Sequence, residues 1–110
     1  MNEQKKIKFI FPPLVNGIHV HESEQLFPVG KIYCVGRNYE DHAKEMDGVV
    51  DRDQPFFFSK PPQSINQSNQ ITFPTQTNDL QHEVELVVLL GSKCSNVEVD
   101  QAHEHIFGYA

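Results

Sequence analysis

The most informative pattern of hydrophobic and polar positions lies in residues 82–90, which read His-Glu-Val-Glu-Leu-Val-Val-Leu-Leu. Glu83 and Glu85 occupy alternate positions in the first half of this segment, and the second half is hydrophobic at every position. Successive side chains of a strand point to opposite faces, so the pattern predicts a β-strand with both carboxylates on one face. Its second half is typical of a strand that protein covers on both faces.

Shorter hydrophobic segments, separated by proline, glycine and polar residues, predict that the rest of the chain is also rich in β-structure. The predicted extended elements are a hairpin-bearing arm in residues 9–28 and strands in residues 31–35, 55–60 and 71–73. The polar residues 63–70 predict a loop, and residues 77–79 predict a turn.

Two segments are predicted to be helical. The first begins at Asn38, a residue type that caps helices, and ends at Gly48. The second covers about residues 98–106. Combined with the strands, these helices predict a single β-rich domain of the α+β class.

The length and charge of the chain limit its function. A chain of 110 residues suits one domain with a modest core, and its formal net charge is -6. The nine Lys and Arg residues are scattered, so no basic stripe favours a nucleic acid or an anionic membrane. We therefore expect a small-molecule partner.

The cysteines and both termini indicate the cellular context. Cys34 and Cys94 lie beside hydrophobic residues and form no Cys-x-x-Cys pair, which predicts free, buried thiols and a cytoplasmic protein. The hydrophobic run that begins at Phe9 is stopped by Pro12, too soon for a signal peptide or a membrane span. The chain ends at Ala110 within a hydrophobic run, so we expect a truncated domain.

The acid pair is the first candidate site. Desolvation and mutual repulsion oppose the ionisation of two partly buried carboxylates, and a hard divalent cation with oxygen ligands would remove this conflict. Glu83 and Glu85 are therefore candidate metal ligands. The alternative is that they lie at the solvated end of a strand whose far end enters the core.

Three further candidate groups lie upstream of the acid pair. His42 and Glu45 are neighbours on one face of the first predicted helix, where the carboxylate could orient the imidazole as a general base. Lys60 and Arg37 could each bind a substrate carboxylate. The alternative for all four residues is an ordinary solvated surface. The pairs His19/His21 and His103/His105 are not assigned to metal, since neither provides a convergent ligand set.

The order of several motifs makes the chain similar to a known family. Residues 31–39 read Lys-Ile-Tyr-Cys-Val-Gly-Arg-Asn-Tyr and are followed by His42 and Glu45. Then come Phe-Phe-Ser-Lys-Pro at 57–61, His-Glu-Val-Glu-Leu at 82–86 and Phe-Gly-Tyr-Ala at 107–110. From about residue 11 to the last residue, the chain strongly resembles the fumarylacetoacetate hydrolase family, in particular its small bacterial acylpyruvate and fumarylpyruvate hydrolases.

The resemblance implies a mixed β-roll, here incomplete at the C-terminus, in a metal-dependent enzyme that is usually a homodimer. It implies an N-terminal arm in residues 1–28 and, in residues 29–110, the N-terminal portion of the catalytic domain. The family's Glu-x-Glu ligands for Mg²⁺ or Mn²⁺ fall on Glu83 and Glu85, with Ca²⁺ as a further candidate ion. Its helical His and Glu fall on His42 and Glu45, and its lysine before proline on Lys60. The family's third metal ligand is an aspartate that would follow Ala110.

By this resemblance, we expect the complete protein to hydrolyse a carbon–carbon bond in acylpyruvates such as fumarylpyruvate. Decarboxylation of oxaloacetate and isomerisation of an unsaturated diacid are alternatives within the family. A third alternative belongs to another class: a catalytically inert fragment that lacks the third metal ligand.

Overall fold

The computed structural model describes residues 7–39 and 54–110, and the chain divides into two compact units, Met1–Ile71 and Thr72–Ala110. In the described residues, the ordered elements are six short strands and two 3₁₀ helices. All of the strands pair two by two in antiparallel ribbons. The predicted β-rich character is confirmed, whereas the mixed β-roll stays a prediction.

The first ribbon of the unit Met1–Ile71 pairs β1 (Asn16–His19) with β2 (Leu26–Val29). The turn between them is closed at Val20, whose amide donates to the carbonyl of Gln25 at 3.3 Å. This ribbon confirms a hairpin in the predicted segment, whereas the N-terminal arm in residues 1–28 stays a prediction. Pro28 has no backbone N–H. It is tolerated in β2 because each strand of a two-stranded ribbon has one unpaired edge, and a missing N–H on that edge removes no hydrogen bond between the strands.

The second ribbon of this unit pairs β3 (Ile32–Gly36) with β4 (Phe56–Lys60). Its register places Ile32 opposite Lys60 at one end and Gly36 opposite Phe56 at the other. β-Branched and aromatic residues dominate both strands, as their strand preference requires. The strands predicted in residues 31–35 and 55–60 are confirmed.

The other described residues of the first unit are mostly irregular. A 3₁₀ helix, Pro62–Ser64, follows β4, and the polar residues after it form the predicted loop. Gln67 ties this loop to the first ribbon, since its side-chain amide donates to the carbonyl of Gly17 at 2.7 Å. The strand predicted at residues 71–73 is wrong, because these residues join no ladder. Pro74, which cannot donate a backbone hydrogen bond, follows at once.

The unit Thr72–Ala110 contains one ribbon, which pairs β5 (Val88–Leu90) with β6 (Ile106–Tyr109). The backbones of Val87 and Ala110 exchange hydrogen bonds of 2.8 and 3.0 Å, which extend the pairing by one residue. The strand predicted over residues 82–90 is therefore confirmed only at its end. The pairing reaches Ala110, so residues 82–86 lie outside the ladder.

A 3₁₀ helix, Val99–His105, connects β5 to β6. It lies where the sequence predicts a helix, with the tighter 3₁₀ geometry. Asp100 in its first turn complements the dipole of the backbone. The helix predicted from Asn38 to Gly48 falls largely on residues 40–53, which lie outside the described residues.

Burial differs from the sequence prediction. None of the described residues is classed as buried, and in β5 only Leu89 is half-buried. The prediction that residues 87–90 are covered on both faces is wrong here, because a single two-stranded ribbon supplies no second layer. Both cysteines are free, but Cys34 is half-buried and Cys94 is exposed, so the expectation of buried thiols is wrong for Cys94.

Among residues 7–39 and 54–110, no helix has the length and the hydrophobic composition that crossing a membrane requires.

Candidate functional site

Glu83 and Glu85 lie in the extended, irregular segment that leads into β5, and both are exposed. The sequence predicts a partly buried pair for which desolvation opposes ionisation, and the structure contradicts this burial. The alternative of a solvated segment before a strand fits the exposure of both residues. Carboxylates at the surface keep their oxygens accessible to an ion from solution.

The donor chemistry of the pair fits a hard cation in part. Mg²⁺ and Mn²⁺ prefer carboxylate oxygens, and Mg²⁺ requires near-octahedral coordination. Two glutamates provide only part of such a ligand set. Within the described ranges no group of three His, Cys, Asp or Glu side chains is placed to hold a metal ion. Further ligands must therefore come from water, substrate or other residues.

His42 and Glu45, the predicted general base and its orienting carboxylate, lie outside the described residues. Their roles stay predictions.

Arg37 and Lys60 lie at opposite ends of the β3–β4 ribbon. Arg37 follows Gly36 at the end of β3, and Lys60 ends β4 opposite Ile32. Arg37 lies five residue steps from Ile32, the partner of Lys60, which corresponds to about 17 Å along the backbone. The backbones of Arg37 and Lys60 therefore lie far apart, although both residues belong to the β3–β4 ribbon.

The face of β4 between these cations carries two aromatic rings. Phe56, Phe58 and Lys60 alternate along the strand and so point to the same face. The ring centroids of Phe56 and Phe58 are 6.4 Å apart and the rings are tilted by 36°. The guanidinium carbon of Arg37 lies 5.6 Å from the centroid of Phe56, and Nζ of Lys60 lies 6.0 Å from that of Phe58. Each cation thus contacts the negative face of its own ring.

The backbone around Arg37 is unusual. Arg37 has a φ of 55°, in the left-handed region that is rare for a residue with a side chain. The preceding residue, Gly36, provides space for the ring of Phe56. A Cβ atom added to Gly36 would lie 2.5 Å from Cδ1 and 3.0 Å from Cε1 of that ring.

At the opposite end of the ribbon, Lys60 borders an open cleft of about 410 Å³. The polar side chains around this cleft are those of Lys31, Tyr33, Ser59 and Lys60. The ammonium group of Lys60 can donate hydrogen bonds to an anion in this cleft. The cleft is consistent with the predicted role of Lys60 in carboxylate binding.

Sequence reasoning did not identify two features of the structure. The aromatic partners of the two cations could have been found from the alternation of Phe56, Phe58 and Lys60. A hydrogen bond of 2.7 Å joins Oγ of Ser92 to Nδ1 of His105, at the end of the β5–β6 ribbon. Because these two residues are 13 apart in sequence, no local pattern indicates their contact.

Comparison with known proteins places the chain in a family of enzymes. Residues 31–110 match the family model described as the C-terminal domain of fumarylacetoacetate hydrolase. This match covers more than half of the chain and includes both strands of the β3–β4 ribbon and the acid pair. The chain therefore belongs to the fumarylacetoacetate hydrolase family, and the predicted resemblance is confirmed.

Individual relatives have different activities. The chain is 38% identical over 81 residues to a mitochondrial oxaloacetate decarboxylase of Dictyostelium discoideum, covering 72% of this chain and 37% of that protein. It is 40% identical over 89 residues to a mitochondrial oxaloacetate tautomerase of Arabidopsis thaliana, covering 79% and 40% of the two chains.

Among solved structures, the chain is similar to fumarylpyruvate hydrolase from Pseudomonas aeruginosa in complex with Mn²⁺ and pyruvate. The TM-score is 0.81 at 37% sequence identity, and the match covers 93% of this chain and 46% of that one. The chain thus spans less than half of the length of these relatives.

Proposed function

We propose that the polypeptide carrying these residues is a metal-dependent hydrolase that cleaves a carbon–carbon bond in acylpyruvates such as fumarylpyruvate. The observation that supports this proposal is the similarity, at a TM-score of 0.81, to a fumarylpyruvate hydrolase that binds Mn²⁺ and pyruvate. The same proposal includes a mixed β-roll, a homodimer, a cytoplasmic location and an N-terminal arm in residues 1–28.

The proposed reaction consumes one water molecule. The water oxygen attacks the acyl carbonyl carbon, and the bond between this carbon and the methylene group breaks. The acyl part leaves as a carboxylic acid, and the methylene carbon takes up a proton to give pyruvate. In this scheme His42, oriented by Glu45, accepts the proton of water and returns it to the methylene carbon.

Glu83 and Glu85 hold Mg²⁺ or Mn²⁺ in the proposed site, with Ca²⁺ as a further candidate. When bound, the ion acts as a Lewis acid that polarises the keto acid and stabilises the negative charge that develops on it. The exposure of both glutamates supports this role, since an ion can reach their oxygens without displacing a covering layer. Arg37 and Lys60 bind substrate carboxylates and orient the keto acid.

Decarboxylation of oxaloacetate is the second candidate activity. The similarity to an oxaloacetate decarboxylase and an oxaloacetate tautomerase supports it, at the same level of identity. Isomerisation of an unsaturated diacid remains an alternative of the same kind, since it uses the same stabilisation of developing negative charge. A catalytically inert fragment stays the third alternative.

A substrate panel tests the proposal. The natural polypeptide that contains these residues is incubated with Mn²⁺ and with acetylpyruvate, fumarylpyruvate or oxaloacetate, and the products are identified by NMR. We expect pyruvate and the matching carboxylic acid from the acylpyruvates, and loss of this turnover in Glu83→Gln. The matched control is Glu104→Gln, an exposed acid of the second 3₁₀ helix. Decarboxylation alone would favour the second candidate, and a lack of every turnover would favour the inert fragment.

A further inference from the structure

We infer that Phe56 is a positioning residue, whose ring holds the Arg37 guanidinium where it can bind a substrate carboxylate. This inference rests on the proposed function, because it assigns a partner to the carboxylate-binding role of Arg37. The inference also includes Gly36, because the absence of a Cβ atom at this residue leaves room for the ring of Phe56.

The first support is the contact itself. The guanidinium carbon of Arg37 lies 5.6 Å from the centroid of Phe56, within the range of a cation–π interaction. The ring is 56% exposed and Arg37 is exposed as well. A ligand in solution can therefore reach the guanidinium while the ring stays beneath it.

The second support is the left-handed backbone of Arg37. A residue with a Cβ atom adopts a φ of 55° at a cost in free energy, which glycine or asparagine would largely avoid. Backbone strain of this kind persists where surrounding structure enforces it, and such positions cluster at functional sites. Here the strained residue is also one of the two cations of the ribbon, and its conformation brings its side chain over Phe56.

The third support is the space that Gly36 leaves. Any larger residue would place a Cβ atom 2.5 Å from Cδ1 of Phe56. The ring would then have to leave its position under Arg37. The absence of a Cβ atom at Gly36 thus allows the ring of Phe56 to keep its position near the guanidinium of Arg37.

The chemistry of the contact leaves Arg37 available for a ligand. An aromatic ring attracts the cation through its negative face and accepts no strong hydrogen bond, so it leaves the N–H groups of the guanidinium unused. With the residues that the structure describes, Arg37 forms no hydrogen bond and no ion pair. The five N–H donors of a guanidinium can meet a carboxylate in two parallel hydrogen bonds.

The inference is tested by steady-state kinetics of Phe56→Leu in the natural polypeptide, with an acylpyruvate as substrate. Phe57→Leu is the matched control, because Phe57 is 58% exposed, close to the 56% of Phe56, and points to the opposite face of β4. We expect KM to rise about two- to fivefold in Phe56→Leu with kcat unchanged, since the lost contact acts equally on bound substrate and transition state. Phe57→Leu should keep the wild-type KM.

Two further variants separate positioning from folding. Phe56→Tyr keeps the ring and should restore the wild-type KM. A pentafluorophenylalanine at position 56 keeps the shape of the ring but removes its negative face, and should raise KM as Phe56→Leu does. Equal changes in Phe56→Leu and Phe57→Leu, or an unchanged KM with the fluorinated ring, would overturn the inference.

A binding measurement distinguishes failure of this inference from failure of the proposed function. Pyruvate is titrated into each variant, and its dissociation constant is measured by NMR. If no acylpyruvate is turned over, the proposed function fails and the titration decides the role of Phe56. Weaker pyruvate binding in Phe56→Leu but not in Phe57→Leu then supports the inference, and equal binding in both overturns it.

Discussion

The ring of Phe56 lies against Gly36 across the β3–β4 ladder, so close that a Cβ atom on Gly36 would be 2.5 Å from Cδ1 of the ring. Such a distance is below van der Waals contact, and the ring could not stay in place if position 36 carried a side chain. The pair couples the packing of the ribbon to the position of Arg37, because the guanidinium carbon of Arg37 lies 5.6 Å from the centroid of the same ring.

Gly36→Ala is therefore expected to destabilise the protein by about 1 to 3 kcal/mol, because the added methyl group must displace the Phe56 ring. The measurement is the urea midpoint of unfolding. Gly30→Ala is the matched control, since a Cβ atom at Gly30 would meet nothing within 4 Å. Its effect should stay within about 0.5 kcal/mol. Equal destabilisation by both substitutions would contradict the close approach of Phe56 to Gly36.

The backbone of Arg37 leads to a second prediction. Arg37→Gly and Arg37→Ala both remove the guanidinium, but only alanine retains the cost of a left-handed φ. Arg37→Gly should therefore be more stable than Arg37→Ala by about 0.5 to 1 kcal/mol, even after the larger entropy of unfolded glycine is counted.

Lys31 supplies the control for this pair of variants, because it has no positive φ. There the order should reverse, with Lys31→Gly less stable than Lys31→Ala. Both comparisons use denaturant unfolding at constant pH. The same order of stability at both positions would show that the conformation of Arg37 is not left-handed in solution.

Metal binding by the acid pair is the third prediction. Mn²⁺ is titrated into the protein and followed by electron paramagnetic resonance of the free ion. Glu83→Gln and Glu85→Gln should each weaken binding about tenfold or more, because each replaces a carboxylate ligand by a neutral amide. Glu104→Gln should bind Mn²⁺ as the wild type does. An unchanged affinity in both variants of the pair would refute its assignment as the metal site.

The contact between Ser92 and His105 gives the fourth prediction. Ser92→Ala removes the hydrogen bond of 2.7 Å to the imidazole and should cost about 0.5 to 1.5 kcal/mol of local stability. The amide of Gly91, which donates to the carbonyl of His105 at 2.9 Å, should then exchange its hydrogen faster. Ser95→Ala is the control, and exchange at Gly91 should not respond to it. Identical exchange in all three proteins would contradict the prediction.

Local sequence predicted the ribbons of the first unit well. Residues 31–35 and 55–60 are rich in β-branched and aromatic residues and are bounded by glycine or proline, and β3 and β4 follow these limits to within one residue. Such predictions succeed because the strand preference of a residue and the effect of a glycine or proline reach only a few positions along the chain. Residues 71–73 had the same local composition but found no partner strand, and composition alone does not show this.

The residues of the candidate site stay predictions, since they come from the sequence and the order of its motifs. The spacing of Glu83 and Glu85 and the order of the motifs identified the family, which the match over residues 31–110 confirms. The burial of the acid pair was predicted wrongly, because alternation shows which side chains share a face but not whether another layer covers that face.

By itself, the sequence determined the family, the β-rich character and the choice of candidate residues, since each depends on residue types at short spacings along the chain. Only the tertiary structure decided that Arg37 and Lys60 stand at opposite ends of one ribbon, and that each contacts an aromatic ring of β4. The register of two strands and the rotamers of long side chains create these contacts. The contact of Arg37 with Phe56 joins residues nineteen positions apart, beyond the reach of any local pattern, whereas the contact of Lys60 with Phe58 joins neighbours on one face of β4.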